Sequence, residues 1–174
     1  DSSVLSFGAD SEVTLTHVAD QGLTLKNTNT GDDKPIILTL QTGETDMAAG
    51  EVLGEIRFQA PDESTGTDAI LVAAAISARA EGDFSSSSNA TKLSFQTGAS
   101  EAASEKMSLS SAGLLTVSGR LITDDTTEAT STTDGSLQTD GGLSVAKDVV
   151  AGDDVKLLSD ASVIALGADG DVTI

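Results

Sequence analysis

The sequence lacks cysteine, tryptophan and tyrosine, and its 174 residues include only four phenylalanines and two prolines. Without cysteine the chain has no disulfides, thiolate nucleophiles or thiolate metal ligands. The absence of cysteine is compatible with both an oxidising and a reducing compartment. Because large aromatic side chains usually dominate a wide globular core, their scarcity leaves Val, Leu, Ile and Ala to fill a thin one. The composition therefore favours a narrow, extended protein.

Positive charge is also scarce, since 9 Lys and Arg residues face 28 Asp and Glu residues, for a formal net charge of -19. A surface this acidic repels phosphate backbones and anionic lipids, so we expect neither a nucleic-acid partner nor membrane binding. No apolar run reaches the roughly 18 residues that a spanning helix needs, which predicts no membrane insertion. The chain also opens without Met or an apolar leader, which indicates part of a longer polypeptide.

Apolar and polar residues alternate with the period of two that is typical of half-buried strands. Turns rich in Gly and Asp separate these stretches, so the sequence predicts an all-β fold of many short strands, organised as β-prism-like or β-helix-like modules or as a sandwich. The predicted strands carry Val13 and Leu15, Leu23 and Leu25, Ile36, Leu38 and Leu40, Leu93 and Phe95, Met107 and Leu109, and Leu115 and Val117.

Residues 69–80 carry two opposing signals. They are rich in helix formers, with Thr67 or Asp68 as an N-cap and Gly82 as a stop, which favours a short helix over 69–80. As a strand, the same residues would place Ile76 on one face and Ser77 on the other. We predict a strand, and the short helix stays the alternative.

The two ends of the chain repeat each other at a spacing of 159 residues. Residues 1–15 and 160–174 are identical at 8 of 15 positions. Repeats of this kind mark modules that stack on one another, although shared turn chemistry alone could produce the similarity. The repeat predicts one strand-and-turn conformation for both ends, with turns at Gly8 and Gly167 and matching buried positions at Val4, Val13, Leu15, Val163, Val172 and Ile174.

The composition changes at residues 123–133, which are polar and lack an alternating apolar face. We predict a β-rich fibre module over 1–122, a polar connector over 123–133, and a second β fibre segment over 134–174, whose end repeats the phase of 1–15. A solvated loop at 123–133 is the alternative to a connector.

No residue pattern points to catalysis. His17 is the only histidine, and the sequence pairs it with no nucleophile or orienting acid, so a structural histidine at a strand end is the better interpretation. No nucleophile elbow or phosphate loop occurs. We therefore predict that the chain is not an enzyme and has no catalytic or cofactor-binding residues.

Clustered aspartates offer oxygen ligands for Ca²⁺, but none fits an EF-hand or a nonapeptide calcium repeat. Turn formation explains these aspartates better, so we assign no metal site. A glycosidase site is also disfavoured, because the sequence has few aromatic side chains on which a sugar ring could stack. Asn89 begins an N-glycosylation pattern to which we assign no function. The aspartates are Asp32, Asp33, Asp124, Asp125, Asp153, Asp154, Asp169 and Asp171.

Two blocks of sequence resemble tail-fibre and related appendage proteins of tailed bacteriophages, especially marine ones. Residues 132–149 are similar to the family's Gly-Ser-Leu-x-Thr-x-Gly-Gly-Leu-x-Val-x-Lys-Asp element. Residues 80–84, 91–97 and 105–113 resemble a second block, in which Lys106 and Ser108 depart from the family's Glu-Arg-Met-Arg-Ile. Together the blocks cover roughly half of the chain, within residues 54–149.

The resemblance implies an elongated fibrous homotrimer around a threefold axis, a strand at 69–80, and a shaft segment on a virion, outside the cell. It implies no catalytic residues, and it places binding of a host glycan or receptor in a distal tip. Independently, short strands with one apolar face bury too little surface alone, and three associated chains would cover faces and edges.

The sequence thus predicts a structural shaft protein of a phage tail or virion appendage, with itself as partner, as a homotrimer and by end-to-end continuation. A non-viral extracellular filament or adhesin stalk built from repeated β modules is the alternative, and a carbohydrate-binding or depolymerising module is a third. We also expect divalent cations to stabilise the assembly modestly by screening the -19 charge of each chain.

Overall fold

The computed structural model describes residues 3–61 and 66–159, and within them the chain is essentially all-β. Eight strands form two antiparallel sheets, and no α-helix occurs among these residues. The strands are β1 (Val4–Phe7), β2 (Val13–Val18), β3 (Gly22–Asn27), β4 (Val52–Gln59), β5 (Val72–Ala80), β6 (Thr91–Thr97), β7 (Ser104–Leu109) and β8 (Leu115–Val117).

The first sheet is a meander of β1, β2 and β3. Gly8 turns the chain between β1 and β2 with a φ of +89°, a conformation that glycine adopts readily, so the predicted turn is confirmed. Val13 and Leu15 share the face of Phe7 and Leu5, whereas Val4 lies opposite Thr16 on the other face. Val4 is 52% exposed, so its predicted burial is wrong. Residues 160–174, the other half of the repeat, lie outside the described residues.

The second sheet is a meander in the order β4, β5, β6, β7, β8. The helix alternative for 69–80 is wrong, because β5 is a strand and only Asp68–Ile70 forms a single 3-10 turn. Ile76 of β5 lies directly opposite Ile56 of β4 and Phe95 of β6. Such cross-strand pairs on both sides outweigh the helix propensity of alanine.

Residues 36–40 were predicted as a strand, and the structure overturns this prediction. The segment pairs with no strand, and its backbone makes no hydrogen bond within the described residues. Leu40 lies over Gly54 of β4 so closely that a Cβ at position 54 would be 2.8 Å from the Leu40 Cβ. Glycine at 54 therefore lets this segment cross β4.

Internal contacts divide the chain into two units, 1–121 and 122–174. Both sheets belong to the first unit. The described part of the second unit, residues 122–159, contains turns, bends and irregular backbone without a strand. Asp125 accepts hydrogen bonds from the backbone and hydroxyl of Thr127, and Asp134 accepts them from Thr130 and Ser131. The predicted boundaries at 122 and 133 stay predictions.

The contact between Leu40 and Gly54 can be tested by Gly54→Ala. The added methyl group collides with Leu40, so we expect the free energy of unfolding in urea to fall by about 1–3 kcal/mol. Gly82→Ala is the matched control, because nothing lies within 4 Å of a Cβ at that position. A Gly54→Ala variant as stable as Gly82→Ala would contradict the packing of residues 36–40 on β4.

Candidate assembly surface

The register of the five-stranded sheet collects apolar side chains on one face. Residues directly opposite each other in neighbouring strands share a face, so the pairing defines rows that run across the sheet. One row takes a residue from every strand, and a second row lies beside it. The first consists of Ile56, Ile76, Phe95, Met107 and Val117, and the second of Gly54, Ala78, Leu93, Leu109 and Leu115.

We call this surface the apolar face, and it also includes Phe58 and Ala74 at one end. Most of its large side chains are exposed, with 47% of Ile56, 55% of Phe58 and 57% of Leu115 accessible. The outermost strands lie about 19 Å apart, so two complete rows form a contiguous patch of a few hundred Å². Exposed apolar patches of this size are among the largest that monomers usually show, and they often serve as interaction surfaces.

The opposite face of the same sheet is polar, and we call it the polar face. Its central residues are small and buried: Ser77 is 1% exposed and Ser94 0%. The Gln96 amide Nε2 donates a hydrogen bond of 2.8 Å to the Ser77 Oγ beneath the surface. The sheet thus buries hydroxyl and amide groups on one face and exposes hydrocarbon on the other, the reverse of what water favours for an isolated sheet.

Ion pairs border the polar face. Lys92 of β6 contacts Glu105 of β7, with 2.8 Å between Nζ and Oε2, and Arg57 contacts Glu55 along β4, with 2.8 Å between Nε and Oε1. The hydrogen bond that Lys92 donates to the Glu105 carboxylate holds the pKa of Glu105 below its usual value. Exposed pairs of this kind contribute only about 0–1 kcal/mol each, so they indicate a solvated face more than they stabilise it.

The residues singled out by their chemistry do not come together. His17 lies in β2 opposite Leu23, and Asn89 is exposed beyond the bridge between Ser85 and Ser88. The Asp32 carboxylate accepts the Asp33 N–H within a turn, as the turn interpretation predicts. In the part of the chain that the structure describes, no three His, Asp or Glu residues are grouped so as to hold a metal ion. Asp169 and Asp171 lie outside that part.

Sequence reasoning found the alternating residues but missed the apolar face. The alternation of Leu93 with Phe95 or Met107 with Leu109 shows which residues share a face within one strand. It does not show which residues of different strands lie side by side. The row across five strands follows only from the register, which depends on contacts distant in sequence.

Comparisons with known proteins give no match: no family model, no curated protein and no solved structure corresponds to this chain. Residues 3–61 and 66–159 contain no helix that is long and apolar enough to cross a membrane.

Acid should weaken the polar face through Glu105. Because the folded-state pKa of Glu105 lies below its ordinary 4.5, its stabilising contribution is present above the unfolded-state pKa and is lost as the pH falls through the folded-state pKa. Glu105→Gln should therefore lower the free energy of unfolding at about pH 7, by less than about 1 kcal/mol, and lose less stability than the native chain between about pH 7 and about pH 3.

Urea unfolding at the two pH values measures this difference. Glu101→Gln serves as the control, since the ion pairs of the described residues do not include Glu101. Equal losses of stability on acidification in the native chain and in Glu105→Gln would contradict a role for the Lys92 pair.

Proposed function

We propose that the chain is a structural subunit, a shaft segment of a fibre such as a phage tail fibre or virion appendage, and that it functions as a homotrimer. The observation that carries the proposal is the exposed apolar face, with a row of five apolar residues from Ile56 to Val117. Three copies with these faces turned toward a common axis would cover the rows and leave the polar faces in water. The proposed location is the virion, outside the cell.

The exposed side chains of the apolar face support association. Ile56, Phe58 and Leu115 are 47%, 55% and 57% accessible. Their burial against other copies would remove apolar surface from water and stabilise an assembly.

The number of copies rests on the resemblance of blocks within residues 54–149 to tail-fibre elements. Two sheets packed face to face would also cover the apolar rows, because sandwiches pack in this way. The mass of the particle distinguishes the two arrangements. We propose that this chain extends the fibre and that receptor binding belongs to a distal tip outside the shaft segment.

We expect light scattering at micromolar concentration to give a mass of about three times 17.5 kDa. Ile56→Ser, on the apolar face, should lower the association constant of the trimer about 100-fold. Its side chain is already half buried in the single chain, so about 1 kcal/mol of burial is lost per copy, or about 3 kcal/mol per trimer.

Arg57→Ser is the matched control, because Arg57 is the next residue of β4 and points to the polar face. It should leave the mass unchanged. A native chain that is monomeric with its β-type circular dichroism intact would overturn the trimer, and a mass of two chains would favour a sandwich.

A further inference from the structure

The last strand of the five-stranded sheet, β8, has an outer edge that no strand of the described residues pairs with. The Leu114 carbonyl accepts the Ser110 N–H, and the Ser118 N–H donates to the Lys106 carbonyl, so even-numbered residues bond to β7. Hydrogen bonding alternates along an antiparallel strand, and the N–H and C=O groups of Leu115 and Val117 therefore point away from the sheet. β8 contains no charged residue and no proline, the usual protection of an edge.

A candidate strand lies at the other side of the sheet. Residues 36–40 form no helix, turn or strand, and their backbone groups make no hydrogen bonds within the described chain. Ile37 is 73% exposed and Leu38 68%. Leu40 rests on Gly54 of β4, the strand at the opposite edge from β8. Within the described residues, each copy thus carries an unpaired segment beside β4 and an unpaired edge at β8.

We propose that residues 36–40 of one copy add as an antiparallel strand to β8 of the next copy. The inference rests on the homotrimer proposed above. When sheets are arranged around an axis, the β4 side of one copy lies beside the β8 side of the next, so the contact is head-to-tail and closes into a ring. Closure removes the free sheet edges at these junctions.

One register satisfies the backbone and the side chains together. It places Ile36 opposite Val117 and Leu38 opposite Leu115, so Ile36 and Leu38 extend the apolar face. Pro35, which has no N–H, then lies opposite Ser118, whose own N–H already bonds to β7.

Charge complements this register. Asp32 and Asp33 precede the added strand, and in the antiparallel direction they reach the end of β8 that Arg120 follows. Opposite charges at the end of a short strand pair favour this direction over a slipped register.

The test uses disulfide formation, because the native chain contains no cysteine. In the full chain, Ile36→Cys is combined with Val117→Cys. In the proposed register, the Cα atoms of these two cysteines in neighbouring copies lie about 5.5 Å apart, a distance that a disulfide spans. After oxidation, non-reducing electrophoresis should show most of the protein as covalent dimers and trimers that return to monomers on reduction. Leu40→Cys with Val117→Cys is the matched control, because Leu40 lies about 13 Å further along the strand.

Light scattering of each variant before oxidation separates the two proposals. One outcome is a variant with Ile36→Cys and Val117→Cys that has a trimeric mass and yet forms no covalent dimers or trimers on oxidation. This result overturns the strand addition and is consistent with the homotrimer. Preferential cross-linking of the Leu40 and Val117 control overturns the register. A monomeric mass of the native chain overturns both proposals, and covalent trimers in the first pair alone support both.

Discussion

Cross-strand register in the five-stranded sheet is the constraint on which the rest of the structure depends. A slip of one residue in β5 would replace Ile76 by Ser77 in the apolar row, because successive side chains point to opposite faces. Glu105 and Met107 would share a face in a regular strand. The register shifts between them, so Met107 lies opposite Phe95 while Glu105 lies opposite Gln96. This bulge keeps the carboxylate on the polar face and the thioether on the apolar one.

The two faces of the sheet therefore make different demands on their surroundings. The polar face buries Ser77 against Gln96 within one chain and ends in ion pairs that water solvates. On the apolar face, Leu40 of the neighbouring segment lies over Gly54, while large side chains such as Phe58 and Leu115 stay exposed. The charged side chains of the polar face have both signs, since Glu55 pairs with Arg57 and Glu105 with Lys92, and such a face is suited to contact with water.

Much of the fold could be predicted from the alternation of residues, and the remainder depends on partners. The alternating pairs in β2, β3, β6, β7 and β8 each lie in a strand, as predicted. Residues 36–40 show the same alternation without being a strand, because a strand exists only where another backbone satisfies its hydrogen bonds. The extra residue Lys106 that creates the bulge leaves no mark in the sequence, so the row across five strands could not be predicted.

The failure at residues 36–40 and the openness of β8 have the same physical origin. Alternation in a sequence indicates which side chains are buried, whether by the same chain or by another copy. The structure of one chain contains only the contacts within that chain. A segment that alternates as a strand but stays unpaired among the described residues is therefore informative. Ile36 and Leu38 carry the pattern of a half-buried strand, yet they are 45% and 68% exposed. The exposed apolar face and the uncharged edge of β8 are where we propose that such a segment finds its backbone hydrogen bonds and buries its apolar side chains.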